Sequence, residues 1–477
     1  MSSIFDHRIK SISRFIFVNI LRNFLGILRG KEIALLFGAE GIGLLGQFLT
    51  FFNFQSKLLM FGVTASLVNS VNLGQNRGYD RDKIILVNLL LVFVANIIFG
   101  SIYFCNIDLF SILLFTSVKY TTLIILTGIL GFIYSISTFF ELIFQADQNF
   151  KLLSYGRIIS IIVSILLVVP LIYKFGVNGA ILNLIILSIV SLLYFLFNGG
   201  LNKVKISLID FKKEFPIIKN ILLICFTDIL RSFSILGSLM IGRILIIHLL
   251  GIKANGFYQS IWSISNYIDI LLQGFVVYYY PKISSIFEDE KINDEININF
   301  EVISYLIFPF ILLITVWPQI FLWFFYSEEF ISFHSFLSLV MIAKIFNFFY
   351  YFYSITLLGK NFLKKYIFLD LSRSLIFILV NYFLIKLFSF NGAIYAIIIT
   401  ELLSFVFVIF LIKEIKYIHL NKSNKKLFFK ILLFTILLFI LPIPLLIKTI
   451  LIFIIILIFF DIKKYSDIIK SLIFTNS

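Results

Sequence analysis

Residues 19–47 read NILRNFLGILRGKEIALLFGAEGIGLLGQ, and this stretch decides the class of fold. It reads as a first membrane-spanning helix, a turn at Gly38-Ala-Glu-Gly41-Ile-Gly43, and the start of a second span. An apolar segment of this length normally excludes cations, yet this one carries Arg22, Arg29 and Lys31. A charge near the bilayer centre costs roughly 2.5–3.5 kcal/mol on insertion scales, so such residues usually face an aqueous cavity or a partner. Asn19, Arg22, Asn23, Gly26, Arg29 and Gly30 recur at helical spacing and share one face. The spacing predicts a cationic stripe turned toward an interior.

The rest of the chain extends this pattern. Of 477 residues, 60% are hydrophobic and 14% charged, against about 25% charged in soluble domains. Apolar runs long enough to span a bilayer recur throughout, which predicts an all-α polytopic membrane protein. Spans are expected at about 12–37, 42–70, 84–105, 119–145, 152–173, 177–197, 216–249, 254–281, 299–325, 331–358, 363–388 and 391–413. A further apolar tail at 428–460, split by Pro442-Ile-Pro444, reads as two short spans, about 14 in all. Basic connections alternate with short ones nearly free of Lys and Arg, which places both termini in the cytoplasm; the acidic stretch 282–297 weakens that alternation. The net charge of +15 follows from this bias and implies no nucleic-acid partner.

The chain repeats at an offset of about 213. Leu36–Gly43 pairs with Leu249–Gly256, Asn53 falls on Asn266, and Asn178-Gly-Ala-Ile181 pairs with Asn391-Gly-Ala-Ile394. Asn149-Phe150 pairs with Asn361-Phe362 one residue out of step. The expected organisation is a six-helix bundle at 1–200, a second at 201–414 in parallel pseudo-repeat, and a basic loop with a hydrophobic hairpin at 415–477. Parallel repeats of this kind build transporters in which access to a site between the halves alternates.

Polar positions concentrate on four helices. The second copy of the opening helix carries Asp228, Arg231, Ser238 and Gly242 on one face, with Arg243 beside it. Span 2 offers Thr50, Asn53, Lys57 and Thr64; span 8 offers Gln259, Trp262, Asn266, Asp269, Gln273 and Tyr280. Amides and aromatic rings suit sugars, and arginines and lysines suit a phosphate or pyrophosphate. The expected central-cavity residues are therefore Arg22, Arg29, Lys31, Asn53, Lys57, Asp228, Arg231, Arg243, Asn266, Asp269 and Gln273. The competing structural reading is that such residues bridge neighbouring helices, with Arg231 paired to Asp228. Glu141, Arg157, Lys344, Asp370, Arg373 and Glu401 read as helix-end charges with local partners. No GKS/GKT phosphate loop is present, and the four His and two Cys show no metal-ligand spacing. With short outer loops as well, an enzyme is not expected, and neither is a cofactor.

At Gly30–Phe48, followed by Gly62-Val63-Thr64-Ala65 and the basic loop Gly74–Lys83, the sequence resembles the O-antigen translocases. These are Wzx-type flippases of the multidrug/oligosaccharidyl-lipid/polysaccharide exporter superfamily. The turn has Ala39 where the family commonly has Pro, and the tail 415–477 is similar instead to the extra spans of lipid II flippases. The resemblance implies transfer of an undecaprenyl-pyrophosphate-linked oligosaccharide, an O-antigen or capsule repeat unit, from the cytoplasmic to the periplasmic leaflet of the bacterial inner membrane. It implies membrane lipids, a polysaccharide polymerase and a chain-length regulator as further partners. Driving force would come from the membrane potential or an H⁺ or Na⁺ gradient. A lipid II-type precursor flippase and a multidrug/cation antiporter are the alternatives within the superfamily.

Overall fold

The computed structural model describes residues 2–76, 80–204, 211–415, 417–441 and 447–451. Regular structure among them is entirely helical, and they form two compact units, 1–256 and 257–477. Nine helices among the described residues are long and apolar enough to cross a membrane.

The first unit holds α1 (Ser2–Met60), α2 (Val63–Asn76), α3 (Arg81–Cys105), α4 (Ile107–Phe115), α5 (Thr121–Ala146), α6 (Phe150–Phe175), α7 (Val177–Phe195) and α8 (Phe211–Leu250). Phe139, Phe144, Phe195, Ile221 and Cys225 close over Met60, Val63 and Leu67 to form its buried centre. Lipid tails are as apolar as leucine, so this packing is held by shape and dispersion rather than by exclusion of water.

The second unit takes over within α9 (Ile252–Ser285). It continues through α10 (Asp289–Val316), α11 (Pro318–Phe325), α12 (His334–Gly359), α13 (Leu363–Lys413) and α14 (Lys422–Ile440). Asn297 of α10 clasps the segment leading into α14. Its Nδ2 donates to the His419 carbonyl at 3.1 Å, and its Oδ1 accepts from the Asn421 backbone N–H at 2.8 Å. Phe428 of α14 then stacks on Phe405.

Several expected boundaries change. The turn at 38–43 contracts to a single break at Gly38 (φ 58°, ψ −152°) inside α1. Span 42–70 is discontinuous, ending at Met60 and restarting at Val63 across Phe61 (φ 46°) and Gly62 (φ 71°). Span 299–325 is two helices, because Pro318 lacks the N–H needed to continue α10. Spans 363–388 and 391–413 are the two arms of α13, bent at Ser389 (φ 52°). Span 254–281 is α9, whose polar residues keep it out of the nine apolar helices. Pro442, Pro444 and the second arm of the expected C-terminal hairpin lie outside the described residues.

The backbone repeats with the offset read from the sequence. Left-handed residues come in pairs 213 apart: Gly38 with Gly251, Gln148 with Asn361, and Gly176 with Ser389. The turn bond from Asn149 N to Phe144 O (3.0 Å) recurs as Phe362 N to Leu357 O (2.9 Å). This corrects the one-residue slip: Asn361 is the counterpart of Gln148, not of Asn149. Within the first unit the two copies of the Gly38–Gly43 motif meet reciprocally. A Cβ on Gly43 would lie 2.1 Å from the Ile252 carbonyl oxygen, and one on Gly256 would lie 1.8 Å from that of Ala39. Only glycine permits such a crossing. The break at Phe61–Gly62 departs from the repeat, since its counterparts Gly274 and Phe275 lie inside continuous α9, and left-handed Thr116 and Gly199 likewise have no left-handed counterparts.

At one end of the first unit, Asp147 joins three connections. Arg81, at the start of α3, donates to Asp147 Oδ1 at 2.6 Å, and Lys203 beyond α7 pairs with Oδ2. Burial opposes ionisation of Asp147, but the hydrogen bonds and charges of Lys203 and Arg81 override it and hold its carboxyl below the usual carboxylate range. A depressed folded-state pKa gives stability that is present above the unfolded value of about 3.9 and is lost as pH falls through the folded value. Asp147→Asn is expected to cost about 1–3 kcal/mol at neutral pH. In detergent melts, its deficit relative to wild type should shrink as the pH is taken below about 4.

Candidate functional site

Among the described residues, charged side chains inside the helices of each unit gather into groups. In the first unit, Lys57 stands one turn before the break in α1 and Thr64 just after it. Lys57 Nζ donates to Thr64 Oγ1 at 3.3 Å, Thr64 Oγ1 donates to Asp228 Oδ2 at 3.1 Å, and Lys57 Nζ lies 3.9 Å from that same carboxylate oxygen. The break itself depends on Gly62: its φ is left-handed, and a Cβ there would lie 2.4 Å from the Cys225 carbonyl oxygen. Gly62 therefore lets the chain turn directly against α8, three residues before Asp228. The group is open, with Lys57 37% and Asp228 21% exposed.

Arg29 occupies a separate place in the same unit. It is 6% exposed, and its Nη2 donates to Asn183 Oδ1 of α7 at 3.2 Å. Asn183 is itself fixed to α6, accepting from Ser164 Oγ at 2.8 Å and donating to the Ser164 carbonyl at 2.7 Å. Arg29 Nε has no hydrogen-bond partner. No carboxylate among the described residues ion-pairs with Arg29. A buried guanidinium held by a neutral amide is an uncompensated positive charge, which costs heavily unless an anion is brought to it.

The remaining expected residues fall differently. Arg22 and Asn53 are exposed, Lys31 is half-buried, Arg231 is exposed and Arg243 is buried. The predicted stripe on the first helix is thus divided between exposed Arg22 and buried Arg29. Asp228 is engaged by Thr64 and Lys57.

In the second unit, Asp269 of α9 pairs with Lys344 of α12 at 2.6 Å. The Asn266 amide is best placed with its nitrogen donating to Asp269 Oδ2 (3.1 Å) and its oxygen accepting from Trp262 Nε1 (2.8 Å). Lys344 also lies 5.7 Å from the centre of the Trp262 ring. Gln273 is exposed. One turn further along α12, Asn347 donates to Glu401 (3.2 Å), which pairs with Arg373 at 2.5 Å, while Tyr350 donates to Asp370 at 3.0 Å. Lys344, Arg373 and Glu401 are therefore not helix-end charges: each lies ten or more residues inside its helix. The signal was present as Lys344, Asn347 and Tyr350, which follow one another at about one helical turn. Glu141 and Arg157 do pair with one another.

A groove of about 250 Å³ runs between α1, α3 and α5 of the first unit. Apolar walls including Leu59, Ile97 and Phe132 line it. No group of three His, Cys, Asp or Glu among the described residues could hold a metal.

No curated protein matches the chain in sequence. Among solved structures, the chain is similar to the lipid II flippase MurJ in an inward closed conformation. That match has 17% identity and a TM-score of 0.71, and covers 95% of this chain and 100% of that one. It is also similar to an inward-facing multidrug resistance MATE family transporter of the MOP superfamily (15% identity, 87% of this chain, 99% of that one, TM-score 0.69). A MOP superfamily transporter from Pyrococcus furiosus, described as having a binding pocket of reversed polarity, aligns over 85% of this chain and 94% of its own (17% identity, TM-score 0.58). These likenesses establish the superfamily's fold. The family model for polysaccharide biosynthesis proteins matches residues 9–287, more than half of the chain, and the chain belongs to that family.

Proposed function

We propose that this multi-pass membrane protein flips an undecaprenyl-pyrophosphate-linked oligosaccharide, an O-antigen or capsule repeat unit. Transfer runs from the cytoplasmic to the periplasmic leaflet of the bacterial inner membrane, by alternating access and with both termini in the cytoplasm. The observation that carries this reading is Arg29, a buried positive charge that pairs with no carboxylate among the described residues. It makes the interior of the first unit attractive to an anion, while accessible Lys57 offers a direct contact. Such a field suits a pyrophosphate and disfavours the cationic substrates of a multidrug antiporter.

The oligosaccharide's hydroxyls lose their hydrogen bonds in hydrocarbon, and exposed polar groups such as Asn53 of the first unit replace them. Outward movement of an anion gains roughly 2.3 kcal/mol per charge per 100 mV from a potential that is negative inside. The cycle then needs no bound cofactor, and an H⁺ or Na⁺ gradient could add to the drive. Polymerase and chain-length regulator would act on the delivered unit.

The test is a strain lacking the gene, assayed for surface polysaccharide and for lipid-linked repeat units retained on the cytoplasmic face. Retention relieved by the wild-type gene is the expected result; intact surface polysaccharide in the null strain refutes the substrate. A lipid II-type precursor flippase is the second reading, favoured by the 95% coverage in the MurJ comparison. It predicts instead loss of cell-wall synthesis and of viability.

A further inference from the structure

We propose that the Asp228 carboxylate is a built-in stand-in for the substrate's phosphate: it fills the anion site made by Lys57 and Thr64 in the unloaded protein, and the arriving pyrophosphate displaces it. This rests on the anion-binding reading above and adds a competitor to it.

Three observations carry the inference. First, one oxygen, Asp228 Oδ2, accepts from Thr64 Oγ1 at 3.1 Å and lies 3.9 Å from Lys57 Nζ. A phosphate oxygen at the same point would meet the same two groups, and more strongly. Second, the group is accessible: Lys57 and Asp228 are 37% and 21% exposed. The Lys57–Asp228 separation of 3.9 Å is also longer than the 2.7–2.9 Å of a well-made charge-assisted hydrogen bond. A loosely held, wetted pair is one that another anion can replace.

Third, the fold does not require the device. The backbone repeats at 213 residues through three pairs of left-handed positions, but the counterparts of Lys57, Thr64 and Asp228 are Ile270, Val277 and Phe15. The helix break that brings Lys57 and Thr64 together is likewise confined to the first copy. The shared backbone therefore forms in the second copy without these three side chains or the break. Displacing Asp228 frees α8 from the broken helix, so loading of the substrate is coupled to release of a contact between α1, α2 and α8.

The experiment uses the purified full chain in nanodiscs and farnesyl pyrophosphate as the probe, with affinity measured for wild type, Asp228→Asn, Lys57→Met and the double variant. Asn is isosteric and can still accept from Thr64, so Asp228→Asn keeps the fold, checked by its melting temperature. Removing the competing charge is expected to tighten binding about tenfold, and Lys57→Met in the same chain is expected to abolish that gain. Binding that is unchanged or weakened in Asp228→Asn, in a protein that does bind the probe, overturns the role of Asp228 and leaves the flippase reading standing. Failure of every form to bind overturns both.

Discussion

Arg29→Met is expected to leave the protein folded and to lower delivery of lipid-linked oligosaccharide by at least about tenfold, the equivalent of one charge-assisted hydrogen bond. The two effects have opposite origins. Replacing a buried charge by an apolar side chain of similar length is often neutral or stabilising. Here nothing is orphaned by the change, because Asn183 Oδ1 still accepts from Ser164. Melting temperature should therefore hold or rise. Transport should fall, because the interior loses a positive charge whose one hydrogen-bond partner among the described residues is the neutral Asn183. Arg29→Lys keeps the charge but loses the planar fork that reaches Asn183, so its activity should lie between the two. The measurement is surface polysaccharide at matched expression, with lipid-linked units assayed on the cytoplasmic face. Full activity in Arg29→Met would remove the buried charge from the mechanism. A protein that melts earlier without Arg29 would show that the arginine is structural.

The repeat was legible in the sequence because it is written in backbone-determining residues. Gly38 and Gly251, and Gly176 opposite Ser389, mark where the chain must bend, and such positions survive where side chains diverge. The charges were legible as residue types but not as partners. Asp228 could have paired with Arg231 by helical spacing alone; it engages Thr64 and Lys57 because the chain breaks at Gly62, and a Phe-Gly pair inside an apolar run does not announce a break. Arg29 and Arg22 share a helical face by arithmetic, yet α6 and α7 cover one and leave the other exposed. Burial of that kind is set by neighbouring helices, which a single span's periodicity does not contain. Lys344 and Asp269 illustrate the same limit: they are 75 residues apart in sequence and 2.6 Å apart in space.

Glu401→Leu is expected to be the most destabilising single change in the second unit, at about 3–5 kcal/mol, or roughly 10 °C of melting temperature. Glu401 is 5% exposed and ties the two arms of α13 together by accepting from Arg373 at 2.5 Å. Removing it strands the Arg373 guanidinium, which stacks 4.7 Å from the Tyr350 ring but is left without its closest carboxylate. It also deprives Asn347 of its acceptor. The double variant Arg373→Met/Glu401→Leu removes the pair together and should recover most of the loss, since the cost lies in the unpaired charge rather than in the missing contact. A double variant as unstable as the single one would place the cost in the packing around buried Glu401 instead. If the double variant is stable but flips no substrate, the Arg373–Glu401 pair serves transport beyond holding α13. Its neighbours make that outcome physically reasonable: Tyr350 and Asp370 meet at 3.0 Å, and Asp269, itself paired with Lys344, lies in the field of Arg373. These groups form a chain of charges across α9, α12 and α13, and a change at one end alters the electrostatic balance at the other.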